Sequence, residues 1–154
     1  MKNINLILFF SIVFFMVLKN YVKTRQGVVI WNDWYRISTF KCLKEKYSTE
    51  FIIVSASYYD TGKANLNAEL NIINAKTAGI ENFDIYIAPC VKPSYNYALC
   101  GEASASIAYV LDYFNKIKVK FGRVWLYITF DSNGWDKDNK TSNIEFIEAN
   151  LFIY

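Results

Sequence analysis

From Gly27 onward, short apolar runs alternate with stretches of helical periodicity, and a longer apolar run precedes them. That leading run, Ile4 to Leu18, is broken only by Asn5 and Ser11 and follows Lys2. Fifteen residues match the apolar region of a signal peptide and fall short of the ~20 needed to span a bilayer. Residues 1–26 are therefore expected to be a signal peptide or signal anchor. No small-residue cleavage site follows Leu18, where the chain reads Lys19-Asn20-Tyr21-Val22-Lys23, so the processed and the anchored form both stay open.

The remainder, 27–154, reads as one domain. Gly27 to Trp31 predicts a strand, and Ser38 or Thr39 caps a helix to about Lys46 with Phe40 and Leu43 inward. Phe51 to Ser57 is nearly continuous in apolar residues at its start, as in strands covered on both faces. Asn65 to Ala78 predicts a second helix, with Leu66, Leu70, Ile73 and Ala78 at helical spacing and Gly79 as its stop. A third strand, Phe83 to Ala88, leads into the loop Cys90 to Cys100. The longest helix runs from Glu102 to Lys120, with Ile107, Val110, Leu111 and Phe114 on one stripe and Gly122 at its end. Arg123 to Phe130 is a fourth strand, and a polar loop from Asp131 to Ser142 precedes a last helical piece from Asn143.

Strand, helix, strand repeated in this way is the βαβ unit of parallel sheets. Four units make a small open sheet or half of an eight-stranded barrel. The expected class is α/β, a truncated (β/α) barrel of about four parallel βα units behind a signal sequence. No glycine-rich phosphate loop follows the first strand, which argues against nucleotide binding.

Composition narrows the function. The chain has 154 residues, 53% hydrophobic and 18% aromatic, enough for a packed core. Four Trp, twelve Tyr and twelve Phe exceed what that core needs, so some rings should face a ligand. The net charge is +3, but Lys2, Lys19, Lys23 and Arg25 precede Gly27 with no acid among them and leave −1 for the rest. The domain thus has no basic patch suited to nucleic acid. No histidine occurs, which excludes Ser-His-Asp and Cys-His chemistry and His-based zinc sites; no metal or cofactor is implied.

Three cysteines in an oxidising compartment allow one disulfide and one thiol. Cys90 and Cys100 bracket a short loop and are the preferred pair, leaving Cys42. Asn139-Lys140-Thr141 is a glycosylation sequon. In a parallel barrel the site lies at the C-terminal ends of the strands. Trp31 and the loops beyond those ends, with Trp34, Tyr58, Tyr59, Tyr95, Tyr97 and Trp135, form an aromatic rim. Trp31, Trp34, Tyr58 and Trp135 are the candidates for stacking on sugar faces; packing beneath the loops is the alternative for each.

Several segments resemble the glycoside hydrolase family 25 lysozymes of nematodes and amoebae. They are Gly27-Val28-Val29-Ile30 with Ser38-Thr39-Phe40-Lys41-Cys42-Leu43-Lys44, then Phe51-Ile52-Ile53-Val54, then Asn74-Ala75-Lys76-Thr77-Ala78-Gly79-Ile80. Phe83-Asp84-Ile85-Tyr86 with Pro89-Cys90, and Phe121 to Thr129 with Trp135 after it, complete the series. The likeness covers essentially everything after the leader. It implies a barrel that binds peptidoglycan and cleaves its muramic acid to glucosamine link with carboxyl groups. The resemblance places the family's Asp-x-Glu at Tyr127 and Thr129, its first-strand Asp at Val29, and a usual second-strand Arg at Ser55.

None of these residues can do a carboxyl's work. Threonine has no useful acidity near neutral pH, tyrosine ionises near pH 10, and valine holds no charge. A positioned acid or base contributes ~100- to 10,000-fold in rate. The leading expectation is a secreted, catalytically inactive lysozyme-like protein that binds glycan in defence against bacteria. Asp33, Asp60 and Asp131 lie in loops past strands one, two and four, so an active muramidase using displaced acids, chiefly Asp33 and Asp131, is the rival. The family's barrel has further strands, so a half-barrel would leave strands one and four as edges. Self-association, a bent sheet and a non-functional fragment stay open there.

Overall fold

The computed structural model describes residues 24–128, 135–136 and 138–151. Residues 1–23 of the expected leader, and Thr129, Phe130 and Asp131, lie outside the described residues. Four strands, β1 (Gly27–Ile30), β2 (Phe51–Ser55), β3 (Asn82–Ile87) and β4 (Val124–Leu126), alternate with four helices. These are α1 (Ile37–Tyr47), α2 (Leu66–Thr77), α3 (Ala103–Lys116) and α4 (Lys140–Leu151). The strands form one parallel sheet in the order β1-β2-β3-β4. This is the expected βα alternation, compatible with the first half of a barrel.

The core lies between the sheet and the helices. Ile30, Ile52, Val54, Phe83, Ile85 and Ile87 point to the helix side and are buried. Phe40, Ile72, Val110 and Phe114 meet them from the helices and are almost fully enclosed. The α3 stripe of Ile107, Val110, Leu111 and Phe114 is buried as its spacing predicts.

The buried face of α2 differs from the expected one. Leu66, Leu70 and Ile73 stand in solvent, while Ala68, Asn71, Ile72 and Ala75 face inward. Both sets have helical spacing. Small alanines let the helix approach the sheet closely, and Asn71 finds partners on the inner side. Asn65 caps this helix, its side chain accepting from the Asn67 N–H at 3.0 Å. Gly79 ends the turn at φ 85°, a left-handed conformation that favours glycine, and Lys44 Nζ donates to its carbonyl at 2.7 Å.

Other boundaries shift by local geometry. Helix α1 starts at Ile37, so Ser38 and Thr39 lie inside it; Arg36 is the cap residue without a side-chain bond. Helix α3 stops at Lys116 because Lys118 adopts φ 56°. Helix α4 starts at Lys140, where Asn139 Oδ1 accepts from the Ser142 N–H at 3.0 Å. Cys90 and Cys100 are joined in a disulfide, and Cys42 is free.

Candidate functional site

Side chains of a strand alternate between the two faces of its sheet. The face away from the helices carries Gly27 and Val29 of β1, Phe51, Ile53 and Ser55 of β2, Asp84 and Tyr86 of β3, and Trp125 of β4. Trp31 and Tyr127 continue it just past β1 and β4. Val29, Trp31, Trp125 and Tyr127 are 48%, 54%, 43% and 37% exposed. Strands one and four would be roughly 14 Å apart in a flat sheet. The Trp31 and Tyr127 rings nevertheless meet edge to face at 5.9 Å.

Tyr86 joins them from below. Its ring centroid lies 6.2 Å from Trp31 and 5.4 Å from Tyr127. Edge-to-face and tilted pairs at such distances are favourable geometries for aromatic quadrupoles. Ser55, paired with Tyr86 in register, is small enough for rings from β1 and β3 to close above it. The three rings thus form a cluster at the strand ends, open on its Trp31 and Tyr127 sides.

The Tyr86 hydroxyl is buried and makes no hydrogen bond among the described residues. Burial raises its pKa, and the nearby Ser55 hydroxyl offsets part of that rise. Ser55 Oγ itself donates to Asn32 Oδ1 at 2.6 Å, which leaves it little to give Tyr86. A phenol in this state is a donor waiting for an acceptor, because an unmade buried hydrogen bond costs about 1–3 kcal/mol.

The loop from β1 to α1, which carries Asp33 and Trp34, is clamped by α2. Asn67 Nδ2 donates to the Asn32 carbonyl, Asn71 Nδ2 to that of Asp33 and Asn74 Nδ2 to that of Tyr35, each at 2.8 Å. Asn71 Oδ1 accepts from the Tyr35 N–H, also at 2.8 Å. Positions 67, 71 and 74 share one helix side at spacings of four and three. Trp34 is half-exposed on this clamped loop.

The other predicted residues are scattered. Tyr58 is partly buried in a turn in which its carbonyl accepts from the Gly62 N–H. Tyr59 and Tyr95 are exposed, and Tyr97 has Lys63 over its ring. Among the described residues, neither Trp34 nor Tyr58 joins the ring cluster. Trp135, the fourth stacking candidate, lies against α4. It is 7% exposed and meets Phe146 of α4 edge to face at 5.7 Å. Asp33 and Asp60 are solvent-exposed.

Asp84 escaped notice in the sequence beyond its place in a matched segment. It is a carboxylate on the open face. Its Oδ1 accepts from the Arg123 N–H at 2.8 Å and its Oδ2 from Trp125 Nε1 at 2.9 Å. Both oxygens therefore brace β4 against β3. Nearby, a groove of about 720 Å³ lies between Arg25, Phe51, Asn82, Asp84 and Arg123. It opens at the N-terminal ends of the strands, opposite the ring cluster, so parallel-barrel geometry favours the cluster as the site. No group of three potential metal-ligating side chains occurs among the described residues.

Comparison with known proteins bears on this arrangement. The profile of the family described as Lysozyme-like protein 1 matches residues 28–152. Lysozyme-like protein 5 of Caenorhabditis elegans is 31% identical over 125 residues, 81% of this chain and 53% of that protein. Probable GH family 25 lysozyme 2 of Dictyostelium discoideum is 32% identical over 113 residues, 73% of this chain and 48% of that protein. Probable GH family 25 lysozyme 4 of the same organism is 27% identical over 142 residues, 92% and 61% respectively. No solved structure matches. The chain spans about half the length of the curated relatives it matches. With the βα order, the strand ends and the profile in agreement, the chain belongs to the lysozyme-like proteins of glycoside hydrolase family 25.

Proposed function

We propose that this chain is a secreted lysozyme-like protein that binds peptidoglycan or a related glycan without hydrolysing it, in defence against bacteria. One observation carries the reading: where the family resemblance expects acids, the strand ends present the side chains of Val29 and Tyr127, and Tyr127 belongs to an aromatic cluster. Rings at the end of a parallel sheet offer apolar faces to the C–H faces of a sugar. Trp34, held on the Asn-clamped loop, can extend the surface.

Secretion follows from the apolar leader and agrees with the disulfide; retention of the leader would instead anchor the domain to a membrane. Asn139 is exposed and caps α4 through Oδ1, so a glycan on its Nδ2 would leave the cap in place.

The test measures insoluble cell-wall binding and cell-wall clearing on one preparation. Binding without clearing is expected, and Trp31→Ala should weaken binding at least tenfold. Clearing at the rate of an active relative overturns the reading in favour of a muramidase with displaced acids, and Asp33→Asn and Asp131→Asn then identify them. Val29→Asp with Tyr127→Asp and Thr129→Glu asks whether the acids alone are lacking.

A further inference from the structure

We propose that the disulfide-closed loop Cys90–Cys100, with Lys63 beside it, is a subsite for a sugar ring that bears a carboxylate. The proposal rests on the glycan reading only for the kind of ligand. Its place is separate from the ring cluster of Trp31, Tyr86 and Tyr127.

The loop after β3 is held in shape by its own bonds. The Cys90–Cys100 disulfide draws it shut, and beside it the Gly101 N–H donates to the Cys90 carbonyl at 2.9 Å. Within it the Cys100 N–H donates to the Tyr97 carbonyl at 3.0 Å and the Asn96 N–H to Ser94 Oγ at 3.3 Å. Gly101 takes φ 84°, and a Cβ there would stand 2.7 Å from Pro93 Cγ, so the two arms of the loop touch. Cys100 Sγ lies 3.7 Å from the Asp60 carbonyl, so the loop also rests on the turn after β2. Only β2 and β3, the two inner strands of the sheet, enter this construction.

On this frame two rings are held out in water. Tyr95 is fully exposed and Tyr97 about a third exposed. Lys63, from the turn after β2, places Nζ 5.8 Å from the centroid of the Tyr97 ring. That is within the range of a cation–π pair. Lys63 is itself exposed, and among the described residues no carboxylate forms an ion pair with it. Single apolar side chains on a surface are ordinary. A ring and an unpaired ammonium fixed together on a closed loop are a recognition pair.

The pair selects the ligand. The flat face of Tyr97 suits the C–H face of a sugar, and the ammonium beside it suits a carboxylate, through a charge-assisted hydrogen bond. A neutral sugar would use the ring and leave the cation idle. An acidic peptide would use the cation and leave the ring face uncovered. Because the loop is ordered by its own closure, little freedom is lost when a ligand settles on it. Cys90 follows Tyr86 by four residues, at most ~14 Å of chain, so one glycan strand can touch both the loop and the ring cluster.

Residue-resolved amide shifts of the full chain test this with N-acetylmuramic acid and N-acetylglucosamine, which differ by the lactyl carboxylate. The Asn96 and Ala98 amides should respond to the acid at concentrations about fivefold lower, the upper range of an exposed ion pair. Lys63→Gln should erase that preference, and Tyr97→Ala should weaken the response to both sugars about fivefold, whereas Tyr97→Phe keeps the ring and should keep the response. Glucuronic acid separates the sources: either acid sugar ahead of N-acetylglucosamine upholds the proposal, and the tighter of the two names the polymer. Equal responses to the neutral and both acid sugars overturn it, as does a preference that survives Lys63→Gln. A diglutamate peptide that moves the same amides at equal concentration also overturns it, in favour of a peptide ligand. Trp31→Ala should leave these shifts unchanged while weakening cell-wall binding, so the subsite and the ring cluster can fail separately.

Discussion

The two faces of the sheet come from the same four strands and meet different fates. The helix side buries Ile52, Val54, Ile85 and Ile87 completely beneath Phe40, Ile72, Val110 and Phe114. The other side leaves Val29, Trp31 and Trp125 about half in water and gathers its remaining bulk into three touching rings. Parallel crossovers of one hand return their helices to the same side, so a βα repeat supplies a cover for one face only. The other face is covered when strands close on themselves. In this chain, then, the packed core belongs to the covered side, and the open side keeps large apolar side chains partly in water.

That division can be broken by mutation. The largest effect is expected for Phe114→Ala, which empties a fully enclosed site and should cost about 3–5 kcal/mol in urea unfolding; a loss below about 1 kcal/mol would mean the helix side is not the core. Next, Ile72→Ala should cost about 2–5 kcal/mol, whereas Leu70→Ala on the same helix should change stability by no more than about 0.5 kcal/mol. Equal losses at the two positions would restore the Leu66-Leu70-Ile73 stripe as the buried one. Asn71→Ala leaves the Tyr35 N–H and the Asp33 carbonyl without partners. It should cost about 1–3 kcal/mol and speed proteolysis in the loop that carries Trp34; unchanged cleavage there would show that the asparagines do not hold the loop.

The smallest effect concerns Tyr86 and alkali. Burial raises its pKa in the folded chain, with Ser55 opposing. A raised folded pKa favours the protonated form of the folded chain. Its contribution is therefore fully present below the unfolded value, about 10, and is lost as pH rises through the folded value. Stability should fall above about pH 10, and Tyr86→Phe should flatten that fall without harm near neutrality. Tyr113, raised by burial and by the Glu69 carboxylate, should keep part of the slope. An identical alkaline profile in Tyr86→Phe would show that the phenol is already relieved by water.

Much was legible from residues alone. Strand starts, the α3 stripe, the Cys90–Cys100 pair and the βα order follow from periodicity and spacing, because each depends on neighbours close in sequence. The candidate site was legible in part. Trp31 and Tyr127 were marked by their place at strand ends, but Tyr86 was hidden in an apolar run and Asp84 in a matched segment. Only register brings Tyr86 between those two rings, and only the β3–β4 pairing aims Trp125 Nε1 at Asp84.

By itself, then, the sequence determined the order of elements, the parallel class and the family likeness, since these rest on local pattern and chain order. Tertiary structure decided which face of α2 is buried, turned Trp135 inward against Phe146, and brought rings from β1, β3 and β4 together. The physical reason is common to all three. Two apolar stripes on one helix, or a Trp in a polar loop, are locally equivalent, and their energies separate only when a particular neighbour removes one of them from water.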